Sequence, residues 1–189
     1  MVCRPKSSGG LGVLDLKVQN DGLLLKFLHK FYNRMDIPWV QLIWNTYYAD
    51  SIPHAVDACG SFWWRDLVLL MPIYYGITSV LVKHGTSALF WKDSWNNEIY
   101  ADKYPRAFFY VTNEDSSVRG FLSAPTLHET FQLPLSVQAH EEVKLLQLDV
   151  AAVRLEERDD AWTCCWGATE FKTARYCKLF FREVIAHVA

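Results

Sequence analysis

The sequence predicts a mainly α fold with short β-hairpins, an α+β chain in which helices dominate. Three observations lead there. Apolar residues recur at helical spacing early in the chain, with Leu24, Phe27, Leu28 and Phe31 at i, i+3, i+4 and i+7. Short polar residues that suit helix N-caps (Asp15, Ser61, Ser136 and Thr173) each precede such a run. The period changes only around His84-Gly85 and again after Asp160, where β-rich runs of a few residues stand beside glycine turns.

Taken in order, a glycine-rich entry, Cys3 to Gly12, leads to a helix over about Leu16 to Asn33, capped by Asp15. Gly22 inside that helix costs on the order of 1 kcal/mol relative to alanine. Lys26, Lys30 and Arg34 are spaced by four along it, with Lys17 further back. This spacing reads either as a phosphate-facing stripe or as an ordinary solvated face. A second helix starts at Pro38, which suits a first turn, and runs to Tyr48. Residues 49–60 read as a loop broken by Pro53 and Gly60. Ser61 caps a third helix, Phe62 to Leu70, with Trp63, Leu67 and Leu70 on one face and Met71-Pro72 as its stop.

Ile77–Lys83 and Thr86–Trp91 predict a hairpin turning at His84-Gly85. Residues 96–135 read as Pro-rich and polar connection. Ser136 caps a helix through Val143, Leu146 and Val150, with Glu141 and Glu142 favourably placed for its dipole. Glu156–Asp160 reads as a solvated acidic loop. Ala161–Trp166 reads as a strand turned by residues 167–169 toward Glu170-Phe171-Lys172, and Thr173 caps a last helix to about His187. These elements group as 1–50, 51–135 and 136–189, within one domain or two very small ones. Trp63, Trp64, Trp91, Trp95 and Phe108 crowd a short span, and a chain lacking neighbours would leave some of them as sticky surface.

Charge and cysteine usage bound the function. The net charge is −2, so the whole chain is not a nucleic-acid-binding polycation. Residues 1–34 carry six Lys/Arg against two acids, and residues 111–160 carry four against ten. Five cysteines form no even framework, which favours reduced thiols and an intracellular setting. The N-terminus has no apolar signal region and no run is long enough to span a membrane.

The residue chemistry points to no catalytic site. Tyr47-Tyr48-Ala49-Asp50 superficially matches a polymerase palm. That chemistry needs paired acids holding two metal ions about 4 Å apart, and Ser51 follows the single Asp50. A hydrolase built on Cys59 with His54, or on a serine, lacks any sign that its members meet. Cys164, Cys165, Cys177 and His187 lack the paired spacing of a zinc site, and adjacent cysteines in a strand face opposite ways. No metal, cofactor or small-molecule substrate is expected. The three thiols read as small and mostly buried.

One set of motifs adds a family. Gly60-Ser-Phe-Trp-Trp-Arg-Asp66 and Ile77-Thr-Ser-Val-Leu-Val-Lys-His-Gly-Thr-Ser-Ala-Leu-Phe-Trp-Lys-Asp-Ser-Trp95 resemble the C-terminal region of plant LINE-type (non-LTR) retrotransposon reverse transcriptases. Cys3-Arg-Pro-Lys6, Gly9-Gly-Leu-Gly12, Phe131-x-Leu-Pro-Leu-Ser136, Asp160-x-Trp162, Trp166-Gly167, Phe171 and Tyr176 fit the same pattern. The resemblance runs over about residues 2–181. It implies the helical connection that follows the polymerase palm and leads into a zinc-binding segment, here truncated before the zinc ligands. The parent family is an RNA-directed DNA polymerase whose catalytic acids are absent here, so the resemblance implies a non-catalytic fragment. The alternative it leaves is a weak, non-specific RNA- or DNA-binding module, with Lys17, Lys26, Lys30 and Arg34 as the contact residues and no membrane partner.

Overall fold

The computed structural model describes residues 15–48, 52, 61–124, 126–167 and 169–186. Among these the chain is mainly α with one two-stranded antiparallel sheet. Helix α1 spans Leu16–Tyr32 and starts where Asp15 Oδ1 accepts the Lys17 N–H at 2.9 Å, supplying a partner to an otherwise orphan donor. Its buried residues are Gly22, Leu25, Leu28, His29, Phe31 and Tyr32. The expected stripe is therefore rotated. Leu28 and Phe31 hold, but Phe27 is 36% exposed and Leu24 half-buried. The reason is that α1 is covered from several sides, by α3 (Phe62–Val68), α4 (Met71–Gly76) and α10 (Thr173–Ala186).

Helix α2, Pro38–Tyr47, begins on its proline as predicted. Helix α3 is capped by Ser61, whose Oγ accepts the Trp64 N–H at 3.3 Å. The buried residues of α3 are Trp64, Leu67 and Val68, whereas Trp63 and Leu70 of the expected face are half-buried. Met71-Pro72 does not simply stop it. The proline sits in the first turn of α4, where its missing N–H is no loss, so one expected breaker starts a further helix.

The sheet corrects both expected hairpins. Strand β1, Thr78–Leu81, pairs antiparallel with β2, Ala161–Cys164, in a register running from Thr78 opposite Cys164 to Leu81 opposite Ala161. Residues 86–91 form no strand and 170–172 do not pair with β2. The cause at the first turn is Asp160. Its Oδ1 accepts the backbone N–H groups of Lys83 (2.7 Å) and Gly85 (2.8 Å), and its Oδ2 accepts the N–H (3.0 Å) and hydroxyl (2.8 Å) of Ser87. Donors that a hairpin ladder would use are taken by one carboxylate. Gly85 has φ +77°, and a Cβ there would lie 3.0 Å from the Arg119 nitrogen, so the glycine is required twice over. Residues 157–159 are exposed, as a solvated loop predicts, but Asp160 at its end is 6% exposed, which corrects that reading for this residue.

The stretch expected as irregular connection carries four short helices: α5 (Tyr100–Lys103), α6 (Pro105–Phe108), α7 (Val118–Leu122) and α8 (Leu127–Thr130). Helix α9, Val137–Val150, follows, capped by Ser136 on the Ala139 N–H. Glu142 of α9 serves α6 rather than its own helix, accepting the N–H groups of Arg106 and Ala107, each at 2.9 Å. Tyr100, Tyr104, Ala107, Val111, Val118 and Phe131 from this region are buried. They join Phe90, Trp91 and Trp95 in one core cluster that also takes in Phe31, Tyr32, Trp64, Tyr74 and Trp162. The three sequence groups thus share a core. Of the five rings of which some are expected as sticky surface, Trp64, Trp91 and Trp95 are among its most enclosed members, and Trp63 and Phe108 are half-buried. Burying rings of this size contributes a large share of the apolar area removed from water.

Helix α10 lies on α1. Thr173 is its first helical residue rather than its cap, and its hydroxyl donates to the Gly22 carbonyl at 3.3 Å.

Candidate functional site

The four cations proposed as nucleic-acid contacts do not form one stripe. Lys17 and Lys26 are nine residues apart, which at about 3.6 residues per turn puts them on opposite sides of α1. Arg34 lies past the helix end with φ 44°, and its guanidinium sits 4.2 Å from the ring centre of Trp44. Only Lys26 and Lys30 share a helix face. Lys26 is exposed, and the Lys30 ammonium stands 5.6 Å from the ring centre of Phe27. None of the ion pairs among the described residues engages any of the four.

Beside that pair stands a feature the sequence reading missed. Phe27, Trp39 and Trp63 meet edge to face where α1, α2 and α3 converge. Their ring centres are 6.0 Å (Phe27–Trp39), 5.6 Å (Phe27–Trp63) and 5.6 Å (Trp39–Trp63) apart. Trp39 and Trp63 are half-buried, and their indole N–H groups have no partner among the described residues. The spacing holds a hint of this, since Phe27 lies one residue from Lys26 and three from Lys30. In the sequence it reads as part of an apolar stripe instead.

The motif residues behave differently. Asp93, 2% exposed, accepts the Leu89 N–H at 2.7 Å, and the Trp95 indole donates to the Phe90 carbonyl at 2.8 Å. Asp160 organises the 83–87 turn. Glu156 pairs with Lys83 at 2.8 Å and Glu157 with Arg119 at 3.2 Å; each partner holds its carboxyl below the usual range. A hydroxyl, an imidazole and a carboxylate do line up at Thr86, His84 and Glu157, with contacts of 3.1 and 3.4 Å. Glu157, however, is 84% exposed and shared with Arg119, whereas a triad needs a buried orienting acid.

His29 is 4% exposed and sits between the Tyr74 hydroxyl (3.1 Å) and the Thr169 carbonyl (2.7 Å). Burial pushes its pKa down and that of Tyr74 well up, so the imidazole is neutral and the phenol keeps its proton. Burial likewise pushes the Cys164 thiol up to about 12 and raises that of Cys177. Cys165 lies in the turn just past the end of β2 and is exposed, so two of the three thiols, not all, are buried. Among the described residues no group of three His, Cys, Asp or Glu is placed to hold a metal ion. Cys3, Asp50, His54, Cys59 and His187 lie outside the described residues. A cleft of about 250 Å³ between α7, α8 and α9 is lined chiefly by Phe121, Phe131, Val143 and Leu146. No helix among the described residues is long and apolar enough to cross a membrane.

No protein-family model, no curated protein and no solved structure matches the chain.

Proposed function

We propose that the chain is a non-catalytic part of a retrotransposon reverse-transcriptase-like protein, the helical connection between its polymerase and zinc-binding regions. The observation that carries this is where the motif residues sit. Gly85, Trp91, Asp93, Trp95, Asp160 and Trp162 are all buried, and they bind backbone groups or fill the core. A motif spent on turn geometry and packing marks a scaffold element, and it is what a connecting segment needs. The test is the coding locus together with an assay. A palm-coding frame upstream and a Cys-x-x-Cys-coding frame downstream are expected, and the purified chain should incorporate no dNTP on a primed template. Template-dependent incorporation that disappears in Asp50→Asn would overturn the reading.

A second reading is favoured by the unpaired cations of α1: weak, sequence-independent binding of RNA or DNA. With Lys26 and Lys30 as the two phosphate contacts on one face, the log–log salt slope for a single strand should be about −1.4. Replacing both by Glu should abolish binding at low salt.

A further inference from the structure

We infer that Phe27, Trp39 and Trp63, flanked by Lys26 and Lys30, form a stacking platform for the unpaired bases of a single-stranded nucleic acid. The inference rests on the second reading above and deepens it by naming the surface and the strand state. Three observations carry it.

The first is that these rings are not enclosed as their neighbours Trp44 and Trp64 are. The indole N–H groups of Trp44, Trp64 and Trp95 donate to the Phe31 carbonyl (2.8 Å), the Tyr48 hydroxyl (3.3 Å) and the Phe90 carbonyl (2.8 Å). Those of Trp39 and Trp63 have no partner among the described residues, and both rings are partly open to solvent, as is Phe27. A donor at the rim of an open ring can serve a base edge or a phosphate oxygen.

The second is rigidity. The interplanar angles are 62°, 83° and 87°, so each ring edge is braced against a neighbour's face. The rings also belong to three different helices. A base arriving on such a surface finds side chains already ordered, which lowers the entropy lost on binding.

The third is charge. Lys26 and the Lys30 ammonium stand on the Phe27 side, free of carboxylate partners, and can follow a backbone whose bases lie on the rings. Across the patch, exposed Asp66 of α3 lies on the Trp63 side while Arg65, two residues from Trp63, falls on the far side of that helix, and Asp36 at the start of α2 is bound by the Gln41 amide. The positive charge is therefore gathered on the Phe27 side of the patch. Partly exposed aromatic rings beside unpaired lysines fit a polyanion whose bases are free to stack. A duplex keeps its base faces inside, so it satisfies the lysines and leaves the rings unused. A protein partner would be suited by the rings but would leave the lysines without counter-charges unless it were acidic.

The experiment uses the full chain with end-labelled strands of equal length, oligo-U, oligo-dT, an abasic strand and a duplex, followed by fluorescence anisotropy at low salt. Oligo-U and oligo-dT should bind at least about tenfold tighter than the abasic strand and should quench tryptophan emission. Their difference reports whether the 2′-hydroxyl is read. Trp39→Leu with Trp63→Leu should lose about tenfold in affinity with the salt slope unchanged, whereas Lys26→Glu with Lys30→Glu should abolish binding at low salt. Trp39→Phe with Trp63→Phe, which keeps the packing, should fall between. Equal binding of the abasic and base-bearing strands, a comparison that needs no variant, would overturn stacking while leaving the charge reading standing. Equal binding of duplex would do the same. No binding of any strand by the parent would remove both. A dimer in sedimentation that Trp63→Leu abolishes would assign the face to a second copy and overturn the inference.

Discussion

Asn33, one residue past the end of α1, pairs with the backbone of Trp162 as a neighbouring strand would. Its Oδ1 accepts the Trp162 N–H at 3.0 Å and its Nδ2 donates to the Trp162 carbonyl at 3.3 Å. The Nδ2 also donates to the His29 carbonyl at 2.9 Å, which closes the last turn of α1. A carboxamide carries the donor and acceptor of a peptide group, so a side chain here covers the outer edge of a two-stranded sheet. An edge left open would be a template for another chain.

Asn33→Ala should therefore destabilise the protein by about 1–3 kcal/mol, the cost of leaving buried backbone groups unpaired. The measurement is the urea midpoint at constant m. A midpoint that does not move would show that water replaces the amide without loss.

Asp160→Asn tests the turn. Four donors converge on the carboxylate, and an amide must present NH₂ to some of them. A loss of about 2–4 kcal/mol is expected from the charge-assisted bonds and the clash of donors. If this variant folded as stably as the parent, the turn would be held by the strand register instead.

Gly22→Ala should be destabilising although alanine is the better helix former by about 1 kcal/mol. A Cβ at this position would lie 2.8 Å from Thr173 Cγ2 and 2.9 Å from Tyr176 Cδ1, both on α10. Overpacking of this kind costs roughly 1–3 kcal/mol, which matches or exceeds the gain. A stabilised variant in thermal melting would mean that α10 shifts freely on α1.

His29 sets an acid dependence. Its pKa is lowered in the folded chain by burial, so the unfolded chain binds the proton more readily. Stability is then complete above the ordinary imidazole value of about 6.5 and falls as pH drops from there toward the folded value. Below the folded value this contribution levels off. Asp149, held low by Lys103 and Tyr104, adds its own loss only in the more acid carboxylate range. Denaturation midpoints across the two ranges should show the upper limb vanish in His29→Gln and the lower limb remain. An upper limb unchanged in the variant would sink the assignment.

The features legible from the residues alone are the local ones. Asp15, Pro38, Ser61 and Ser136 start helices as their neighbours in sequence predict, because a helix start draws on residues within one turn and needs nothing else. The fold class follows from the same short-range periodicity. Of the candidate site, Lys26 and Lys30 were legible, because i, i+4 spacing on a helix is local as well. Long-range packing set the rest. The partner of β1 lies some eighty residues away, and only folding could bring Asp160 to the 83–87 turn, cancelling a hairpin that the local pattern favoured. Arg34 left the stripe when α1 ended. Gly22 reads as a helix defect until α10 lies across it, and Phe27 reads as core until other residues of α1 take that place. Trp39 and Trp63 are as apolar in sequence as Trp44 and Trp64. Whether a ring is enclosed depends on which helices surround it, a property of packing that no single segment contains.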